Sequence, residues 1–105
     1  MQFKMPKKTV KESTIEEYFR KQCVKRGWLC EKFTSPSKRS VPDRVVTMPG
    51  RIIFVELKAP GKKPTELQKK DHERRSRLGH DVWVIDTKEK VDGFIRRYKE
   101  RFEDV

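Results

Sequence analysis

Residues 41–64, VPDRVVTMPGRIIFVELKAPGKKP, constrain the fold more than any other stretch of the chain. Two apolar segments, RVVTM and RIIFVELK, flank Pro49–Gly50, and a turn pair between β-branched runs predicts an antiparallel hairpin. The second segment lies in the most apolar run, yet it carries Glu56 and Lys58. Unpaired buried charge is costly, so the two residues either form an ion pair at a strand end or face a site that uses them. Side chains two apart on a strand share a face, about 6.5 Å apart along it. Phe54, Glu56 and Lys58 therefore point one way, and Ile53, Val55 and Leu57 the other. Pro42 sets the chain extended just before the first strand. A hairpin folding about Pro49–Gly50 then brings Asp43 opposite residue 56, to within a residue, and two carboxylates meet beside one ammonium.

The remaining chain supplies what such a hairpin needs to pack against. STIEEYFRKQCVKRG places Ile15, Tyr18, Phe19 and Cys23 at helical spacing and stops at Gly27. WLCEKF reads as a short strand and TSPSKRSVP as a basic loop. APGKKP breaks the second hairpin strand, and a second helix is expected over about 65–78, ended by Gly79. DVWVID is a further strand. The last helix starts near Thr87 and sets Val91, Phe94, Ile95, Tyr98 and Phe102 on one side. The order α-β-β-β-α-β-α predicts an α/β fold, a mixed central sheet flanked by helices. With 105 residues and no internal linker, residues 12–105 are expected to form one domain behind a flexible basic arm over 1–11. The second helix is unusual: TELQKKDHERRSRL has only Leu67 and Leu78 as apolar residues, so it is either solvated or lies against something charged.

Charge narrows the partner. Lys and Arg number 27 against 16 Asp and Glu, a net +11, which is the footprint of a protein that meets a polyanion, most simply nucleic acid. No apolar run reaches the length of a membrane span. The basic N-terminus leads into no apolar core of a secretory signal, so the chain is expected to stay in the cytoplasm. Cys23 and Cys30 match no paired zinc pattern and are expected as reduced core residues.

A polyanion partner and an Asp–Glu–Lys cluster together suit phosphodiester hydrolysis. Two carboxylates hold a hard cation such as Mg²⁺, which activates water and screens charge growing on phosphorus, while a lysine acts as a preorganised donor. Acid-x-Lys alone is weak, and DTK at 86–88 is a second instance that reads as a helix cap. Glu16 lies at the margin of the first helix's buried face and either reaches inward or serves as the N3 partner of an N-cap at Ser13. Gln68 offers the same choice: capping partner of Thr65, or contact to a phosphate or metal-bound water. His72 reads as a solvated or DNA-side residue. With no Asn and only two histidines, a histidine-metal nuclease site is disfavoured. A non-catalytic basic nucleic-acid-binding module is the principal rival reading. It differs in having no need of Asp43 or Glu56.

A helix with Glu, then Pro-Asp, then Glu-x-Lys on the next strand, then a helix with an early Gln, resembles the PD-(D/E)xK nuclease superfamily. ESTIEEYF, SVPDRVV, VELKAPGKKPTELQ and GHDVWVID, within about 12–92, resemble more closely the stand-alone VRR-NUC domains of phages and bacteria. The resemblance implies a restriction-endonuclease-like core. It implies Glu16, Asp43 and Glu56 as metal ligands with the Leu57 carbonyl, Lys58 as catalytic lysine and Gln68 as accessory polar residue. Mg²⁺ or Mn²⁺ is the implied cofactor. The implied substrate is branched DNA, four-way (Holliday) junctions foremost and flaps as the alternative, cut by a homodimer in a bacterial or phage-infected cell. Lys38, Arg39, Arg44, Lys62 and Lys63 flank the expected site and are expected to grip phosphates. Ser40-Val41 stands where the family often has a glycine before Pro-Asp, a departure that bears on the loop rather than the chemistry.

Overall fold

Alternation along the strands decides which side of the sheet each helix covers. The computed structural model describes residues 10–103, with side chains over 10–99, so most of the expected arm, and the side chain of Phe102, lie outside it. Its elements are α1 (Glu12–Lys25), β1 (Leu29–Lys32), β2 (Arg44–Met48), β3 (Arg51–Leu57), α2 (Glu66–Arg77), β4 (Val82–Ile85) and α3 (Lys88–Glu103). This is the expected order. The sheet runs β1-β2-β3-β4, with two antiparallel pairings and a parallel one between β3 and β4. The parallel step requires a crossover, and α2 is that crossover.

One sheet face is apolar. Val46 and Met48 of β2, with Ile53, Val55 and Leu57 of β3, pack against Ile15, Phe19 and Cys23 of α1 and Val91, Phe94, Ile95 and Tyr98 of α3. The Phe94 ring is the hub, with centroids 5.1 Å from Phe19, 5.2 Å from Trp83 and 4.9 Å from Tyr98. Cys23 and Cys30 are both free thiols.

The opposite face is covered by α2, and the contacts that hold it there are polar. The Arg75 guanidinium lies 4.7 Å from the Phe54 ring centroid and 5.0 Å from that of Phe33. Arg75 also donates to the buried carboxylate of Asp71 at 2.7 Å. Stacked cation and paired charge thus take the place of an apolar stripe. The helix's two leucines, Leu67 and Leu78, are 68% and 78% exposed and contribute nothing to this packing.

The three helices start differently. Ser13 is not an N-cap: α1 begins at Glu12, with Lys11 at the cap position and no side-chain cap bond. At α2, by contrast, Thr65 and Gln68 form a full capping box. At α3, the Thr87 hydroxyl accepts from the Lys90 N–H at 3.1 Å, which is the cap expected at 86–88.

Candidate active site

The site lies where β3 runs two residues past the start of β2. The ladder pairs Arg44 with Val55, so Asp43 falls opposite Glu56, as the hairpin count predicts. There the Asp43 side chain replaces the missing strand: its Oδ2 accepts from the Leu57 N–H at 2.8 Å. In an antiparallel edge the N–H and C=O of one residue point to the same neighbour, so the Leu57 carbonyl is directed to the side that Asp43 occupies.

Glu56 is 1% exposed. Its Oε2 accepts from Gln68 Nε2 at 3.0 Å and lies 3.6 Å from Lys58 Nζ. Its Oε1 faces His72 Nε2 at 3.6 Å, and neither of those two atoms has a hydrogen-bond partner. Burial pushes the Glu56 carboxyl up to about 8, the Asp43 charge adds to the rise, and Lys58 opposes it. Desolvation also lowers His72, so its imidazole brings no positive charge to Glu56 near pH 7. A buried carboxyl group with one oxygen unpartnered and a second carboxylate alongside ionises only when positive charge is added. The donors present, two carboxylates and a carbonyl, are hard oxygens and fit Mg²⁺ or Mn²⁺.

Gln68 is the capping partner of Thr65 and also binds Glu56. Its Oε1 accepts from the Thr65 N–H at 2.9 Å while its Nε2 binds Glu56. The cap therefore orients the amide that orients the carboxylate. Thr65→Ala is expected to destabilise the protein by about 1 kcal/mol in urea denaturation and to slow catalysis several-fold.

The Glu16 Oε2 accepts from the Arg44 guanidinium at 3.0 Å, so this expected metal ligand is paired with an arginine. Among the described residues no three His, Cys, Asp or Glu side chains converge as a ready metal cluster. Arg44 itself is a correction. Expected at the surface to grip phosphate, it is 8% exposed, on the α1 face of the sheet, and also donates to the Cys30 carbonyl at 3.2 Å. Even-numbered β2 residues turn into the core, and Arg44 shares their parity.

Glu12 is a further acid near the site that the sequence reading did not single out. Burial raises its carboxyl, Asp43 and Glu16 push the same way, and Lys58 offsets them, so Glu12 lies within the field of the site. A cap at Ser13 would put Glu12 outside the helix. With α1 starting at Glu12 itself, that acid sits one turn from Glu16 on the same side. His72, expected as solvated or DNA-side, instead faces Glu56. Of the expected phosphate contacts, Lys38 and Arg39 are exposed on the loop leading to Asp43, and Lys62 and Lys63 are exposed on the loop after Lys58.

No family model matches the sequence. Among known proteins, the chain is 47% identical over 81 residues to "Putative nuclease p44" of Acyrthosiphon pisum secondary endosymbiont phage 1, covering 76% of this chain and 87% of that protein. Among solved structures it superposes on a VRR_NUC domain with a TM-score of 0.78 at 31% identity, over 83% of this chain and 96% of that one. The chain belongs to the VRR-NUC family. The four-stranded mixed sheet with flanking helices is thus a VRR-NUC fold. Among the described residues no helix of this VRR-NUC domain is long and apolar enough to cross a membrane.

Proposed function

We propose that this VRR-NUC domain is a divalent-metal-dependent endodeoxyribonuclease that nicks branched DNA, four-way junctions foremost, as a homodimer. The observation that carries the reading is Glu56: a fully buried carboxylate with an unpartnered oxygen, beside Asp43 and 3.6 Å from Lys58. Likeness to a phage nuclease and to a VRR_NUC structure supports nuclease function. Asp43, Glu56 and the Leu57 carbonyl would hold Mg²⁺ or Mn²⁺, with Glu12 a further carboxylate within the field of Asp43 and Lys58. When bound, the cation supplies Lewis-acid activation of water and screening of phosphoryl charge.

The chain's own residues do the rest. Gln68, fixed by the Thr65 cap, holds one Glu56 oxygen and leaves the other free to bind. Lys58 presents an ammonium on the same strand face, placed to orient a water for attack on phosphorus and to stabilise the charge that develops there. Burial of Glu56 strengthens each of these interactions. Paired nicks across a junction need two such sites, hence two copies of the chain.

The test is cleavage of a labelled four-way junction and a linear duplex in Mg²⁺, Mn²⁺ or EDTA, with the protein's mass in solution measured alongside. Metal-dependent, paired nicks at the junction from a dimer are expected. Cleavage confined to flaps, or by a strict monomer, would remove the junction part. DNA binding that persists in EDTA with no cleavage of any substrate would leave a binding module. For the metal, calorimetric Mn²⁺ titration should separate the two α1 acids. Glu12→Gln is expected to weaken binding at least about tenfold and Glu16→Gln by less than about threefold, because Glu16 is committed to Arg44.

A further inference from the structure

The basic character of α2 is not used up by the fold. Its inward side, Gln68, Asp71, His72 and Arg75, holds the helix to the sheet. On its flank, Leu67, Lys70, Arg74 and Arg77 line a groove of about 700 Å³ whose other wall is the loop carrying Lys38 and Arg39. All five cations are exposed. The acids in the groove answer them weakly. Asp71 is buried and already held by Arg75 at 2.7 Å, with Arg74 at 3.6 Å, and Glu73 meets Arg77 at 3.7 Å. An exposed helix pair such as Glu73–Arg77 is worth a few tenths of a kcal/mol and yields readily to a denser anion.

Position argues for one occupant. The groove starts at Leu67 and Ser40, one residue from Gln68 and three from Asp43, and so opens beside the site. At 1.5 Å per helical residue, Leu67 to Arg77 spans about 15 Å. One DNA strand carries a phosphate about every 3.4 Å along the axis, so that length matches about four nucleotides. A single anion would need a point cluster, whereas these cations form a row. Leu67, at the mouth, offers apolar contact to a sugar.

We infer that the groove between α2 and the 37–40 loop is a backbone track that holds the substrate strand for about four nucleotides beyond the scissile phosphate, with Lys70, Arg74 and Arg77 as its positioning residues. This rests on the DNA-cleaving reading for its endpoint, but the track is testable without cleavage. The triple variant K70S/R74S/R77S is compared with wild type and with a charge-matched control, K21S/K25S/R96S, on the far side of the protein. Binding to labelled junction and duplex is followed by anisotropy in EDTA across a salt series, and thermal melts check that all three fold alike.

The groove variant is expected to bind at least about tenfold more weakly at physiological salt. Its log K against log salt slope should be shallower by about 2–3, near 0.7–0.9 for each phosphate that is no longer neutralised. The control should keep the wild-type slope. An unchanged slope, or an equally weakened control, would overturn the track. Wild type that binds with the expected slopes but never cleaves would sink the nuclease reading and leave the track standing. Wild type that does not bind DNA would overturn it.

Discussion

Lys58→Ala is expected to lower kcat on cleavable DNA by about 10²–10³, with DNA affinity unchanged to within about threefold. The lysine side chain is 16% exposed and lies 3.6 Å from the buried Glu56 carboxylate, so it belongs to the site rather than to the surface that grips DNA. Its loss removes the ammonium to which the proposed mechanism gives the reacting phosphate, and a positive charge beside Glu56. Lys58→Arg should rescue poorly. A planar guanidinium keeps the charge but does not reproduce a compact ammonium at that depth. Single-turnover cleavage in Mg²⁺ beside anisotropy in EDTA measures both quantities. An alanine variant retaining more than about a tenth of the wild-type rate would exclude Lys58 from the chemistry.

The second large effect is on stability, and its sign follows from proton binding. The Glu56 carboxyl is raised to about 8 in the folded, metal-free protein by burial and by Asp43, against an ordinary value of 4.5. Between those values the folded state holds a proton that the unfolded state has released. Stability must therefore fall as pH rises through that window, by up to about 1.4 kcal/mol per pH unit. The accumulated loss is on the order of a few kcal/mol by pH 8, because Lys58 and Asp43 share the titration. In EDTA the melting temperature should drop from pH 5 to pH 8. Glu56→Gln, which carries no charge to desolvate, should flatten that dependence and be the more stable protein at pH 8. Saturating Mg²⁺ or Mn²⁺ should restore wild type and leave the glutamine variant where it was. A wild-type curve that rises with pH in EDTA would mean Glu56 is solvated or paired more fully than its buried, half-unpartnered position implies.

That buried charge also ties the site to the fold. Glu56 sits on β3, whose alternate residues Ile53, Val55 and Leu57 form the centre of the core, so the carboxylate cannot swing to solvent without moving that strand. α2 closes over it from the other side, fastened by Arg75 between Phe33 and Phe54. A strongly polar helix suits this position. Its inner side supplies Gln68, His72 and Asp71 to a charged pocket, and its outer flank keeps its cations in water.

Strand parity and turn chemistry are local, so they are legible in the residues themselves. The hairpin about Pro49–Gly50, the element order, and the opposition of Asp43 to Glu56 all follow from a period of two and one turn. For Gln68 the cap on Thr65 is legible, because it is three residues away, whereas its bond to Glu56, twelve residues back on β3, is a tertiary contact. Long-range pairing is not legible. Glu16 and Arg44 are 28 residues apart, and nothing in either segment announces that β2 turns Arg44 inward to meet α1. Nor can spacing reveal that α1 starts at Glu12 without a side-chain cap. What the sequence determined alone was the set of charges on one strand face and the helices available to cover it. That Glu16 pairs with Arg44, and that this arginine is buried instead of offered to DNA, was decided only when the helices docked, because those choices depend on contacts between segments that no local period encodes.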